Sequence, residues 1–270
     1  MTFLKGSPSS SHTTPIAQDR SKIRQLLKKG GSGNAAAFVQ ATAYYYEFIS
    51  EYFYLLGYVD PRDRLFEIRS TLIECWRYAP YIKRVSDLER FLEVELEKRS
   101  AERFLDLPKP HDRLSQLNHL QRFLLVARTF QDWSYRSLLL ATRIKKHEIG
   151  KVLSDLKCVL TGFKPQLLKT HEQVLIIRLS ECLEGELKTK EAREVEKAVA
   201  ERFHVLDFKA QWLEYRCELA DLKAQMALDP QQIDRFKTEL TEELKDLPVD
   251  PPKLKESLLN QISFLRLPSN

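Results

Sequence analysis

The segment from Leu117 to Gly162 joins two apolar-periodic stretches through a short polar turn, and this pattern limits the fold more than any other part of the chain. The turn is expected at residues 142–145. In the second stretch, apolar residues return at steps of three and four, as on one buried face of an α-helix. Two short helices around such a turn predict a helix-turn-helix unit. The periodic residues are Ile149, Val152, Leu153, Leu156 and Leu160.

The second helix of this predicted unit also carries basic and small polar side chains away from its apolar face. Most of them lie in its first turns, the part of a recognition helix that enters a DNA major groove. The sequence therefore predicts DNA contacts from Lys145, Lys146, His147, Lys151 and Ser154.

Positive charge is concentrated in two parts of a chain whose formal net charge is +5. Residues 1–33 carry six basic side chains and one acidic side chain, and residues 134–164 carry seven and two. Residues 165–270 carry 16 basic and 20 acidic side chains, so the C-terminal third is acidic. A basic cluster attracts phosphate groups, and an acidic segment of the same chain could compete for that cluster. The acidic third is therefore either a solvated surface or an intramolecular regulator.

The composition is typical of a helical protein of the cytoplasm. Only 8 glycines occur, and 30% of the residues are charged. No window of 18 residues lacks a charge, and the first residues contain no apolar leader, so we expect neither a membrane span nor a membrane partner. The four cysteines are widely spaced on apolar helical faces, which favours reduced core thiols over disulfides.

Sequence motifs of catalysis and metal binding are absent. The chain has no glycine-rich phosphate loop, no HExxH and no CxxC, and its six histidines are scattered. We therefore expect no enzymatic activity, no catalytic residue, no cofactor and no metal site.

Proline positions divide the chain into helical segments, because the prolines at 108 and 110 prevent a helix from continuing through that region. The predicted fold is all-α, with two small helical domains, the second a helix-turn-helix, followed by a C-terminal helical extension. The expected segments are a basic tail at 1–33 that is disordered except for at most a short helix, a helical domain at 35–105, a linker at 106–112, the helix-turn-helix domain at 113–163, the extension at 166–247, and a tail with a short helix at 248–270.

The first predicted domain begins with a helix rich in aromatic residues. A second helix is expected from Arg64 to Tyr78, and the capping-box pattern from Ser86 to Glu89 predicts a third helix from about Asp87. The spacing of the first helix indicates a core stripe made of Phe38, Tyr45, Phe48, Ile49, Tyr52, Phe53 and Leu56.

Two stretches in this order carry a resemblance to a known family. The first is LIECWRYAPYIKRVSDLERFL, from Leu72 to Leu92, and the second runs from Leu120 to Leu160. Together they make residues 35–163 resemble the extracytoplasmic-function group of bacterial RNA polymerase sigma factors. The matching positions are Trp76, Pro80, Ser86, Leu88, Phe91 and Leu92 in the first stretch, and Arg122, Ser134, Ile144, Ile149, Leu153, Lys157 and Leu160 in the second.

The resemblance implies a protein that performs no covalent chemistry and lends DNA specificity to core RNA polymerase. The Arg64–Tyr78 helix would dock on the polymerase, and the loop after it would capture an unstacked base of the minus-10 promoter element. The second domain would read the minus-35 element with its recognition helix. The expected polymerase contacts are Arg69, Leu72 and Arg77, and the expected DNA contacts of the loop are Lys83 and Arg84.

In the C-terminal third, residues 178–208 resemble the first module of zinc-binding anti-sigma factors. The resemblance implies inhibition of the sigma-like half, by a separate anti-sigma factor or by this extension acting as an intramolecular C-terminal regulator. Leu206, Leu213, Leu219 and Leu222 are expected to supply the apolar side of that contact. The matches are Leu183, Gly185, Glu186, Leu187, Glu191, Val195 and Glu196, while Ala198, Arg202 and Val205 replace the metal ligands, so no zinc site is expected.

Two functions therefore remain open. One is a transcription initiation factor that binds polymerase and promoter DNA, which the basic residues at the start of the recognition helix favour. The other is a sigma-derived interaction protein that has lost promoter recognition. It is favoured by departures from the family pattern at Leu65, Phe66, Arg69 and Asp155.

Overall fold

A computed structural model describes residues 15–102 and 113–249 of the chain. All regular structure in these two ranges is helical, without any strand, which confirms the predicted all-α fold class. The α-helices are α1 Pro15–Gly30, α2 Ala35–Thr42, α3 Tyr46–Leu55, α4 Pro61–Arg77, α5 Val85–Glu102, α6 His119–Leu124, α7 Tyr135–Thr142, α8 Lys146–Thr161, α9 Thr170–Leu183, α10 Thr189–Ala200, α11 Phe203–Met226 and α12 Pro230–Asp246.

The basic N-terminal segment contains a folded helix, so the prediction of disorder is wrong for residues 15–33. Ile23 and Leu27 of α1 are at most 1% exposed and belong to the main core. Arg20 forms an ion pair with the buried carboxylate of Glu89. The Ser/Thr/Pro/Gly-rich composition of residues 1–33 predicted at most a short helix here, and residues 1–14 lie outside the described residues.

The aromatic stripe forms the centre of the core, as its spacing predicted, except that Leu56 at its end is half-buried. Phe48 of α3 stacks on Trp133 with 4.8 Å between ring centroids and meets Phe123 edge-on at 5.3 Å. Phe48 belongs to the first predicted domain, and Phe123 and Trp133 belong to the second. The two predicted domains therefore meet in one aromatic cluster, while the predicted linker at 106–112 lies outside the described residues.

Helices α4 and α5 lie close to their predicted positions. Helix α4 starts at Pro61, because Asp60 caps it by accepting a hydrogen bond from the Arg62 backbone N–H at 2.8 Å. Helix α5 starts at Val85, two residues before the predicted position. The Asp87 carboxylate accepts hydrogen bonds from the backbone N–H groups before the helix, so Asp87 caps α5 instead of Ser86.

The C-terminal helices pack against the rest of the chain at three places. Helix α9 lies along α8, α11 crosses between α3 and α8, and α12 lies on α2 and α4. A second apolar cluster joins α8, α9, α10 and α11 around Ile176, Leu179 and Phe208. Of the predicted tail at 248–270, only residues 248 and 249 are described. None of the described helices combines the length and the apolar character needed to cross a bilayer.

Candidate functional site

The unit of α7 and α8 has the local geometry of two helices around a tight turn, and the turn at residues 143–145 falls within the predicted range. Ser134 caps α7 by accepting a hydrogen bond from the Ser137 N–H at 3.2 Å. Arg143 ends α7 in the left-handed region with φ 60°. Helix α8 begins after Lys145, whose N–H donates to the Glu148 carboxylate at 2.8 Å. These caps fix the direction in which α8 leaves the turn.

One face of α8 is buried where the sequence predicted it. Ile149, Leu153, Leu156 and Leu160 are at most 1% exposed. Val152 was assigned to the same face but is only partly buried. The apolar spacing therefore identified most of the core-facing side chains of α8.

The predicted DNA-binding residues of α8 divide into an exposed set and one buried exception. Lys145, Lys146, His147 and Lys151 are exposed in the turn and the first two turns of α8, and we call these four residues the basic stripe. Ser154 is 2% exposed, so its assignment to the DNA-facing surface is wrong. Ser154 is buried because α9 covers a second face of α8. The spacing of apolar residues along α8 indicates only its first buried face.

Gly150 of α8 lies against the Glu181 side chain of α9. A Cβ atom at this position would lie 2.9 Å from the Glu181 carboxylate oxygen of α9. Gly150 and Ser154 are one turn apart on α8, so both belong to the face that α9 covers. Small residues at 150 and 154 therefore lie where the C-terminal extension covers α8.

A buried ion-pair network lies at the centre of this contact. The Lys157 ammonium, on a side chain only 1% exposed, is 2.7 Å from the Glu184 carboxylate and donates a hydrogen bond to the Ser180 hydroxyl at 2.9 Å. It also lies 5.2 Å from the centroid of the Trp212 ring. From the other side, the Arg128 guanidinium is 2.8 Å from Glu184. Burial alone would raise the pKa of Glu184, but the charges of Lys157 and Arg128 outweigh burial and hold that pKa below its usual value.

The turn after α9 brings a second carboxylate to the predicted DNA-binding stripe. We call Glu184, Gly185 and Glu186 the acidic turn; Gly185 has φ 72°, a left-handed conformation that suits glycine. Glu186 lies 3.6 Å from the Lys146 ammonium and 3.7 Å from the Arg128 guanidinium. The acidic turn therefore neutralises part of the surface from which the sequence predicts DNA contacts.

Helix α12 covers the predicted polymerase-binding helix in a similar way. Arg69 of α4 lies 2.8 Å from Glu239 and 3.6 Å from Glu243, and its guanidinium is 5.7 Å from the Phe236 ring centroid. Leu72 is fully buried, so its assignment as a polymerase contact is wrong. The apolar period of α4 turns Leu72 into the core, where it cannot meet a partner protein.

The other predicted contact residues of the first half remain at the surface. Arg77 is paired with Glu74 on the same helix at 2.7 Å and is partly exposed. Lys83 and Arg84 are exposed in the short loop before α5. These two cations lie on a different part of the chain from the basic stripe of α8, and no described contact joins the two sets.

The four leucines expected to form the apolar side of the intramolecular contact do not act together. Leu219 is buried and Leu222 is partly buried, whereas Leu206 and Leu213 are 45% and 43% exposed. The prediction is wrong for Leu206 and Leu213, because α11 has apolar residues on two opposite sides and the fold buries only one of them.

A cluster of possible metal ligands occurs elsewhere, on α5 and α6. Glu93, Glu97 and His119 each bring one ligand atom within 4.8 Å of the others. Glu93 is paired with Arg90 at 2.5 Å and lies 3.4 Å from the His119 Nε2 atom, while Tyr52 is 2.7 Å from the Nδ1 atom. Because the Arg90 guanidinium already balances the charge of Glu93, we assign Glu93 and His119 to a network of ion pairs and hydrogen bonds between α5 and α6.

Sequence reasoning missed the residues that hold the acidic turn in place, chiefly Lys157, Arg128 and Glu184. One signal was present, because Lys157 lies on the buried side of α8, between Leu153 and Leu160. A lysine at such a position needs a buried anionic partner. The sequence contained no information on which of its 38 acidic residues would supply it.

Comparison with known proteins gives no relative: no family model, no curated protein and no solved structure matches this chain.

Proposed function

We propose that the chain is a transcription initiation factor like the extracytoplasmic-function sigma factors, which binds core RNA polymerase and promoter DNA in the cytoplasm and is held in a closed form by its own helices α9–α12. Residues 35–163 carry the resemblance, and the C-terminal extension is the intramolecular regulator. The proposal requires no enzymatic activity, no cofactor and no membrane. A separate anti-sigma factor is not needed for inhibition.

One observation carries the proposal: carboxylates of the C-terminal extension pair with cations from both predicted contact surfaces. Glu186 meets Lys146 on the DNA-facing stripe, and Glu239 meets Arg69 on the polymerase-facing helix. A phosphate backbone would compete with Glu186 for the same ammonium group, since both are anions that bind a surface lysine. Opening of the extension would expose these cations to DNA and polymerase.

The test of the DNA-binding half uses the full-length chain and a duplex DNA. Lys146→Ala and Lys151→Ala should each weaken binding and lower the slope of log affinity against log salt by about one. Glu194→Ala on exposed α10 is a control that should leave the slope unchanged. Binding that is the same in all variants between about 50 and 200 mM salt would overturn this assignment.

The test of the polymerase half is capture of core RNA polymerase by the tagged chain. A double variant, Glu239→Gln with Glu243→Gln, should increase capture because it frees Arg69, and Arg69→Glu should reduce it. Absence of capture in every variant would leave the second function, a sigma-derived helical interaction regulator without promoter recognition. That function is favoured by the burial of Leu72 and Ser154.

A further inference from the structure

Helix α11 has two apolar faces, and the fold covers only one of them. The covered face repeats at steps of three, four or seven and packs against α3, α8, α9 and α10. Its residues are Val205, Phe208, Trp212, Tyr215, Leu219 and Met226, all at most 5% exposed. This face accounts for the role of α11 in the fold, so the apolar residues on the opposite face need a different explanation.

The exposed face of α11 has the spacing of a coiled-coil seam. Phe203, Leu206 and Leu213 are 78%, 45% and 43% exposed. Together with exposed Ala210 and Cys217, they follow one another at alternating steps of three and four. The same alternation continues at Ala220 and Ala224, but these two alanines line a cavity against α3, so the seam open to a second copy runs from Phe203 to Cys217. Alternation of this kind defines the a and d positions of a heptad repeat, with Phe203 at a and Leu206 at d.

Charges on the two sides of this seam follow the same repeat. With Phe203 at position a, the e positions are all acidic and the g positions are all basic. Side chains at e and g flank the seam and form the ion pairs that select partner and orientation in coiled coils. The e residues are Asp207, Glu214 and Asp221, and the g residues are Lys209, Arg216 and Lys223.

This arrangement of charge favours one partner and one orientation. When two identical helices pair in parallel, each g residue faces the e residue of the next heptad on the other helix. Lys209 would then face Glu214 of the second copy, and Arg216 would face Asp221 of the second copy. In an antiparallel pair, g would face g and e would face e, so that like charges would meet.

We propose that α11 is a dimerisation helix that pairs with α11 of a second copy of this chain as a parallel, in-register, two-stranded coiled coil. The seam lies on the side of α11 opposite its covered face, so the two folded bodies stand on opposite sides of the pair. The open part of the seam, residues 203–217, is about 22 Å long, or two heptads. The inference is independent of the proposed role in transcription.

The pair is expected to form reversibly. Phe203, Leu206 and Leu213 supply most of the apolar area of the seam, while Ala210 supplies little. The Lys223 ammonium already donates a hydrogen bond to the Phe130 carbonyl of its own chain, so two of the three g residues remain for the second copy. A short seam with few large residues suits a dimer that dissociates in the micromolar range.

The first experiment measures the mass of the full-length chain by analytical ultracentrifugation over a range of concentrations. The wild-type chain should approach twice the mass of one chain as concentration rises. Leu206→Glu combined with Leu213→Glu should remain a monomer. The matched control, His204→Glu with Gln225→Glu, adds the same two carboxylates to exposed positions of α11 outside the seam and should still dimerise. A wild-type chain that is monomeric at every concentration overturns the proposal.

A charge exchange tests the pairing without removing apolar residues. One chain carries Lys209→Glu and Arg216→Glu, and the other carries Glu214→Lys and Asp221→Lys. Each alone should be monomeric because like charges face each other, and an equal mixture should form a heterodimer. Circular dichroism shows whether both chains are folded. A mixture of folded chains that does not associate overturns the charge assignment.

The orientation can be read from Cys217, which lies at an a position of the seam and is exposed in the single chain. In a parallel in-register pair the two Cys217 thiols face each other across the seam. Added copper–phenanthroline, which accepts the two electrons and passes them to oxygen while two protons are released, should join them in an interchain disulfide. Cys217→Ser should abolish this product. A dimer without the Cys217 disulfide overturns the parallel orientation.

Discussion

Two contacts of the C-terminal extension with the preceding helices, at α8 and at α4, differ in chemistry. At α8, the contact is a buried network in which Lys157 and Arg128 share the carboxylate of Glu184. At α4, the contact consists of apolar side chains from α12, and its ion pair from Arg69 to Glu239 lies at the partly exposed edge. A buried ion pair depends on every partner, whereas an apolar contact tolerates the loss of a charge at its rim. The two places should therefore respond to opposite kinds of substitution.

The largest effect is expected from Glu184→Ala. The substitution leaves the Lys157 ammonium buried without a carboxylate, so we expect a loss of about 3–5 kcal/mol in the free energy of unfolding, measured in urea. Glu194→Ala, on the exposed side of α10, is the control and should change little. A double variant, Lys157→Met with Glu184→Gln, should lose less than the single variant because it removes both charges. Equal losses in Glu184→Ala and in the control would contradict the buried network.

At the α12 contact the sensitive residue is apolar. Phe236 is 4% exposed and meets the Tyr46 ring edge-on at 5.3 Å. Phe236→Ala should cost about 3 kcal/mol and should speed hydrogen exchange along α12 more than along α9. Equally faster hydrogen exchange in α9 and α12 would mean that the extension opens as one unit. The two contacts would then not be energetically independent.

A third contact, between α3 and α11, should make stability depend on pH. The carboxylate of Glu51 accepts a hydrogen bond from Gln131 at 2.7 Å, and Lys223, Glu47 and Arg64 are the other charged groups around it. Burial raises the pKa of Glu51 to about 7 from 4.5. A pKa raised by folding means that the native state holds the proton more tightly, so this contribution to stability is complete below about pH 4.5 and is lost as pH rises to about 7.

Replacement of Glu51 isolates that pH dependence. Glu51→Gln keeps an oxygen that can accept from Gln131 and removes the ionisation, so it should stabilise the protein at pH 8 by about 3 kcal/mol and have little effect at pH 4. The difference between wild type and variant should appear between these two pH values. A difference that is constant with pH would show that Glu51 is not forced to ionise in a buried position.

The smallest effect on stability is expected from Arg69→Ala. Arg235 and Arg69 both hold the pKa of Glu239 below its usual value, and Arg235 would remain beside the carboxylate after the substitution. Thermal unfolding should therefore change less than in any variant above. A loss as large as that of Phe236→Ala would mean that charge, and not the apolar face of α12, holds this contact together.

The sequence predicted the helices and the main buried faces, because apolar spacing along one helix is a local property. Ile149, Leu153 and Phe48 were placed in the core for this reason, and all three are buried. The wrong predictions concern helices that have a second covered or apolar face besides the main buried one. Ser154 is covered by α9, and Leu206 and Leu213 lie on the exposed side of a helix with two apolar faces. Which of several faces meets a neighbour depends on contacts between residues far apart in the chain.

The candidate site was predicted in part for the same reason. Lys145, Lys146, His147 and Lys151 are all exposed, as the position of the apolar face of α8 predicted. The pairing of Lys146 with Glu186 joins residues 40 positions apart in the chain. Nothing in local spacing specifies that pair among the other acidic residues of the extension. The opposite net charges of residues 134–164 and 165–270 indicated that the two segments attract each other, but they did not identify the paired residues.

The central claim is that the acidic turn competes with DNA for Lys146. A double-mutant cycle on DNA affinity tests it in the full-length chain, with the wild type, Glu186→Gln, Lys146→Ala and the double variant. Glu194→Gln on α10 removes the same charge at a distance from the stripe, and it corrects for the general effect of charge on DNA binding.

The account predicts that Glu186→Gln raises DNA affinity by about two- to fivefold beyond the Glu194→Gln control when Lys146 is present, as expected for release of one surface ion pair. In the Lys146→Ala background the same substitution should have no effect beyond that control. An equal gain with and without Lys146, or no gain in either, would contradict competition between the acidic turn and DNA.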